Sequence, residues 1–250
     1  MQILKRSAPA VLLLSGFLTA CTETPTPTPT SINGTVSGWS AGAGTVSAQE
    51  GTTTLSSAAL NANGTFQLAL PAASAITPYL FSVENFTYND SGCSGSLTVS
   101  DQNAKVYPVG SLTATAGGSS RTILARTYTQ TSTNTQTTIT FDGRVWVYAD
   151  RDVNLSGSVN CTDTVEGVTV TSTLSQNARL HTGWNILKSS AVVTANGATS
   201  SGTISLSLTN TSDTASTWTE ETASPLSLTK LSIRQTALLK SLEKHNSLLK

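Results

Sequence analysis

From Ser31 to Trp218 the chain is built of short runs in which apolar and polar residues alternate. The clearest are Thr65-Phe66-Gln67-Leu68-Ala69-Leu70, Val145-Trp146-Val147-Tyr148 and Thr203-Ile204-Ser205-Leu206-Ser207-Leu208. A period of two places one set of side chains on each face of a strand, so these runs predict half-buried β-strands. Asn33-Gly34, Asn63-Gly64, Asp142-Gly143 and Asn196-Gly197 punctuate them. Gly and Asn tolerate the positive φ of tight hairpins, so each pair predicts a turn. Strands recurring at short intervals without helical periodicity predict an antiparallel sandwich or barrel. The expectation is a mainly β protein, an antiparallel β-sandwich in one or two stapled units. Gly117-Gly118-Ser119-Ser120 breaks the strand texture and suggests a boundary between a half at 31–116 and a half at 117–224.

The two ends read differently. Beyond Ser224-Pro225, Leu, Lys, Gln, Ala and Glu dominate, which favours a helix over 225–250. At 100° per residue, Leu231, Leu238, Leu239, Leu242 and Leu249 form one stripe; Lys230, Arg234, Lys240 and Lys244 lie opposite. Such a helix either packs on the protein's own sheet or docks on a partner or membrane surface. Leu231, Leu238, Leu242, Leu249, Lys240 and Lys244 are then the contact residues. At the other end, Lys5-Arg6 precedes an apolar run from Ala8 to Phe17, too short to span a bilayer and typical of an export signal over 1–20.

The Leu18-Thr19-Ala20-Cys21 ending of that signal resembles the bacterial lipoprotein signal, the lipobox. The resemblance implies that Cys21 is acylated and becomes the mature N-terminus. The chain would then be held on the cell envelope by lipid, at the outer membrane or cell surface. Residues 22–30, in which Thr and Pro alternate from Thr24, read as an extended polyproline spacer between lipid and body. Two further resemblances lie in the body. Ser31-Ile32-Asn33-Gly34-Thr35-Val36-Ser37 with Asn63 to Pro71 is similar to carboxypeptidase-regulatory-like (transthyretin-like) β-sandwich modules, usually non-catalytic. Phe141 to Asn185 is similar to segments of bacterial envelope lipoproteins and implies no activity.

Lipidation of Cys21 leaves Cys93 and Cys161 as an even pair in an oxidising compartment, so a Cys93–Cys161 disulfide is expected. It would close a loop worth about 4 kcal/mol in the chain-entropy model. Charged residues make up only 11% of the chain, against the usual quarter or so. Ser and Thr replace them, which suits exposed strand faces. Without the signal, 12 basic residues face 14 acidic ones, and residues 230–250 carry a net +4. The body is therefore acidic, which argues against a nucleic-acid partner.

No catalytic set emerges. A Ser-His-acid triad lacks its Gly-x-Ser-x-Gly elbow, and Asp150-Arg151-Asp152 lacks the spacing of a calcium loop. A copper superoxide dismutase, also an exported β-sandwich with a disulfide, needs several histidines. The chain has only His181 and His245. No cofactor, metal or catalytic residue is expected. Of the tryptophans, Trp146 and Trp184 read as core, and Trp39, between Gly38 and Ser40, as the candidate for an exposed glycan platform. The leading function is a non-enzymatic structural or interaction module of an envelope assembly, with an envelope protein or cell-wall partner. The alternative is a glycan- or peptidoglycan-binding lipoprotein, and an envelope enzyme, metal-dependent or not, is the weakest reading.

Overall fold

The computed structural model describes residues 28–86, 93–165, 168–196 and 201–221. In chain order the strands are β1 (Ser31–Val36), β2 (Gly44–Glu50), β3 (Thr53–Leu60), β4 (Thr65–Ala69), β5 (Phe81–Ser82), β6 (Cys93–Val99), β7 (Lys105–Val109) and β8 (Ser111–Ala116). Then follow β9 (Ser119–Leu124), β10 (Arg126–Ser132), β11 (Gln136–Ala149), β12 (Val153–Val165), β13 (Val168–Leu180), β14 (Gly183–Asn196), β15 (Ser201–Asn210) and β16 (Ala215–Glu220). One helical turn, α1 (Ala73–Ile76), and 3-10 turns at Thr77–Tyr79 and Val83–Phe86 lie between β4 and β6. The mainly β expectation holds. The helix expected over 225–250, the export signal, Cys21 and the six docking residues of the tail lie outside the described residues.

The architecture departs from an all-antiparallel sandwich. Seven strands close a barrel in the order β1-β16-β9-β8-β2-β3-β4, with β16 lying parallel to β1. The rest form a second sheet ordered β5-β7-β11-β14-β15-β13-β12-β6, with β10 paired to β11 and β13 parallel to β15. The chain builds β1–β4 of the barrel and leaves for β5–β7. It returns for β8 and β9, makes β10–β15, and closes the barrel with β16. The two sequence halves are therefore interleaved. Gly117 and Gly118, read as a boundary, form the two-residue turn of the β8–β9 hairpin with φ of 57° and 76°. Positive φ at both central residues is what the twist of a two-residue hairpin requires.

Of the other turn candidates, Asn63-Gly64 forms the β3–β4 turn, with Gly64 at φ 82°. Asn33-Gly34 and Asp142-Gly143 instead sit inside β1 and β11. Both glycines serve close approach. A Cβ on Gly34 would meet the Trp218 ring at 2.3 Å, and one on Gly143 would meet the Ala125 carbonyl at 3.2 Å. Glycine inside a strand marks such crowding as often as it marks a turn. Asn196 ends β14, and Gly197 is outside the described residues.

Four strands of the second sheet, β11 to β14, run to 13 or 14 residues, about twice the length their alternating runs suggest. Their length follows from packing against two different neighbours. Near the barrel, β11 and β14 are covered on both faces. Trp146 and Ile186 join the barrel core, while Val147 and Leu187 join a second core on the opposite face. Farther along, only one face stays apolar, where Ile139, Val170, Val193, Ile204 and Leu206 cluster. The sheet rolls into a half-barrel around these side chains.

Barrel and half-barrel share one core. Trp146 of β11 stacks on Trp218 of β16, with centroids 5.7 Å apart and planes within 15°, and Phe66 meets Trp218 edge-on at 5.5 Å. Both indoles are fully buried. Trp184, partly buried, donates its ring N–H to the Pro71 carbonyl at 3.1 Å. Tyr107 of β7 donates its hydroxyl to Glu50 of β2 at 3.1 Å, a second tie between the sheets. Burial, then the Glu50 charge and this hydrogen bond, pushes the Tyr107 phenol far above its ordinary 10.0. A group whose folded pKa is raised stabilises the fold below its unfolded pKa, and that contribution fades as pH climbs past it. The denaturation midpoint should therefore fall as pH rises above 10. Tyr107→Phe should flatten that alkaline decline in a urea titration repeated across pH 8 to 12.

Candidate interaction surfaces

Cys93 and Cys161 stand opposite each other in the β6–β12 register, with a Cα–Cα distance of 4.2 Å and their sulfurs bonded. The expected pair is present, but its role differs from a staple between two sandwiches. Both cysteines belong to the second sheet, and the bond fastens its edge strand β6 onto β12. Cys161 packs there with Leu97 and Val159.

Trp39 is not an exposed platform. It is 8% exposed, it packs in the barrel core, and its ring N–H donates to the Gly42 carbonyl at 2.7 Å. The Arg121 guanidinium sits 5.7 Å from the ring centroid and takes the outer face. The flanking Gly38, Gly42 and Gly64 all have positive φ, so a tight loop folds the indole inward where a local reading placed it outside. Beside it, a shallow depression of about 360 Å³ is lined by Ser120, Arg121, Thr122, Glu220 and Glu221. Its Arg121 is already paired with Glu220 at 2.7 Å.

The acidic cluster at Asp150–Asp152 resolves into structural contacts at the sheet end. Arg151 bridges Asp150 and Asp101, and the Asp150 carboxylate accepts the Lys105 backbone N–H at 2.8 Å. Asp152 accepts the Thr182 N–H at 2.8 Å and its hydroxyl at 3.1 Å, which holds the carboxyl below its ordinary 3.8, with His181 3.4 Å away. These bonds close the turn into β14. Among the described residues no group of three His, Cys, Asp or Glu is placed to hold a metal ion. No described helix is long and apolar enough to cross a membrane.

The described strands display many exposed hydroxyls. On the outer face of the half-barrel the pairing registers align side chains into rungs that cross the strands. One rung runs Thr162, Thr171, Thr203, Thr194, Thr138. The next runs Ser94, Asn160, Thr173, Ser205, Val192, Thr140. A third begins Ser96, Ser158, Ser175, Ser207 and ends at Ser190 and Asp142. Strand and residue spacings set these groups on a lattice of roughly 4.8 Å by 6.7 Å. Most of the residues on β6, β12, β13 and β15 in these rungs are exposed, and they carry no charge. Some bond across strands, as Thr173 does to Asn160 at 2.8 Å and Thr98 with Ser156 at 2.9 Å.

Among the described residues, the charges on this face include Asp142, which meets Lys188 at 3.1 Å, Arg144, which meets Asp213 at 2.7 Å, and exposed Arg179 on β13. Burial works against the Asp142 carboxylate, yet hydrogen bonds from Lys188 and Ser190 and the Lys188 and Arg144 charges hold its pKa below 3.8. The Ser/Thr positions of the lattice offer paired donors and acceptors without charge, a chemistry suited to neutral polar surfaces. Sequence composition signalled the Ser/Thr abundance; the register that lines these groups up depends on strand order.

No protein-family model, curated protein or solved structure matches the chain. The resemblances named above rest on the residues that carry them.

Proposed function

We propose that this chain is a lipid-anchored, non-enzymatic interaction module of a bacterial cell envelope, held off the membrane by its Thr-Pro spacer. The observation that carries this reading is the pairing of a lipobox-like Cys21 and spacer with a body that exposes a broad Ser/Thr lattice on its half-barrel. The interlocked sheets and the disulfide supply a firm support for that surface. Residues 225–250 join the proposal as an amphipathic docking helix, Leu231, Leu238, Leu242 and Leu249 facing the partner and Lys240 and Lys244 facing acidic groups.

The lattice favours a second reading, in which the partner is a neutral glycan or peptidoglycan bound through hydroxyls and not through Trp39. One experiment separates the two. The lipidated chain is purified from its own envelope in mild detergent, with and without residues 226–250, and each preparation is mixed with insoluble cell-wall glycan. A stoichiometric protein partner that vanishes without the tail is the expected result. Retention on glycan regardless of the tail moves the assignment to the second reading, and a chain that emerges alone and binds no glycan overturns both.

A further inference from the structure

The two ends of the second sheet are built differently. At the β6 end, Gly95 takes φ 93° opposite a stretch of β12 where Gly157 takes φ 116°. A Cβ on either would strike backbone oxygen of the other strand at 2.2 Å. Such an irregularity bends an edge and blunts it against further pairing. Edge strand β10 has no such protection. It holds seven residues, Arg126-Thr127-Tyr128-Thr129-Gln130-Thr131-Ser132, with no Pro, no Lys and no Gly. All but Arg126 are exposed, and Tyr128, at 42%, is the exposed large apolar side chain of the described residues.

The direction of its free backbone groups follows from the bonds at its ends. The Arg144 N–H donates to the Ala125 carbonyl and the Thr133 N–H to the Gln136 carbonyl, both in the β10–β11 register. Hydrogen-bonded pairs alternate along an antiparallel ladder, so the odd residues of β10 spend their backbone groups on β11. The even residues, Arg126, Tyr128, Gln130 and Ser132, point theirs outward. The Arg126 carbonyl confirms this by accepting the Thr219 hydroxyl at 3.5 Å. Beyond that contact, the described residues offer Tyr128, Gln130 and Ser132 no backbone partner on this side.

We infer that the outer edge of β10 pairs antiparallel with β10 of a second copy of this chain, about a twofold axis through Thr129. The sequence is self-complementary in that register. Tyr128 and Gln130 of one copy exchange backbone bonds with Gln130 and Tyr128 of the other. Thr129 faces Thr129 and Thr127 faces Thr131, and the ladder stops short of Arg126, whose outward carbonyl is already taken by Thr219. Threonine pairs across strands are favourable, and no like charges oppose each other. The resulting contact is isologous and closes at two copies. It stands apart from the envelope reading, since it needs neither the tail nor the hydroxyl lattice.

The test uses the full chain in mild detergent. Sedimentation should give twice the chain mass. Gln130→Pro should give the monomer mass with an unchanged near-ultraviolet circular dichroism spectrum, because the Gln130 N–H points away from β11 and its loss removes no bond within the sheet. Thr129→Cys should cross-link into a covalent dimer under mild oxidation, since opposed residues of a non-hydrogen-bonded pair lie about 4.5 Å apart at Cα. Thr127→Cys, opposed to Thr131, should not. A monomeric wild-type chain overturns the inference, as does a dimer that Gln130→Pro leaves intact. If Gln130→Pro fails to fold, absence of the Thr129→Cys cross-link overturns it by itself.

Discussion

Gly34→Ala should destabilise the protein by about 3 kcal/mol, well above the usual effect of one added methyl group. The added Cβ would lie 2.3 Å from Cδ1 and Nε1 of Trp218 and 3.0 Å from Cζ of Phe66. Trp218 has little room to yield. It is fully buried, stacked on Trp146 from the half-barrel and met edge-on by Phe66 of β4. Relief would have to come from separating β1 from β16, which breaks the parallel ladder that closes the barrel from Asn33↔Ala215 to Val36↔Trp218. Trp218→Leu should itself cost about 3 kcal/mol through the cavity it leaves. In the double variant the smaller side chain makes room for the methyl group, so the combined loss should be below the sum of the two by 1–2 kcal/mol or so. Urea midpoints of the four proteins, followed by tryptophan fluorescence, decide it. Strict additivity would mean that Gly34 and Trp218 do not share this contact.

Removing the disulfide should have the next largest effect. Cys93→Ser with Cys161→Ser frees a segment with a sequence separation of 68 residues, which includes β7–β11 and with them two strands of the barrel. In the chain-entropy model the bond contributes about 4 kcal/mol, equivalent to a fall in Tm of roughly 10 °C for a body of this size. A local effect should accompany the global one. Among the described strands β6 pairs only with β12, and Gly95 takes a positive φ within that ladder. Without its covalent tie, β6 should exchange amide hydrogens far faster than β13 or β15 in the middle of the sheet. Scanning calorimetry and hydrogen exchange on the oxidised and double-serine proteins measure both. Equal protection of β6 in the two forms would show that the strand is held by its ladder and side-chain packing without the covalent bond.

The surface readings divide along the same line between covalent chemistry and spatial arrangement. The cysteine pair was legible because reading Cys21 as the lipidated residue of an export signal leaves two thiols to join. The inward turn of Trp39 was not. Gly38, Gly42 and Gly64 meet around it from both sides of β2 and β3, and the Arg121 that covers its ring comes from β9. The open edge of β10 was equally hidden, since an edge is defined by the strand that fails to pair with it.

Alternation of side chains is a local property, so the sequence by itself determined that Phe66 and Leu68, Val145 and Val147, and Ile204, Leu206 and Leu208 lie on strands, and which face is apolar in the first and last of these runs. It also determined the Asn63-Gly64 turn, the burial of Trp146, and the scarcity of charge on the outer strand faces. Tertiary structure alone decided that Gly34 and Gly143 are interior strand residues, because a glycine that admits a tryptophan ring and a glycine that turns a hairpin are the same residue in sequence. It decided that 117–118 is a hairpin within the barrel, that β16 returns to close against β1, and that β13 and β15 run parallel. Those outcomes depend on which strands meet across long stretches of chain, where backbone hydrogen bonds carry no side-chain identity and the packing of both faces selects the partner.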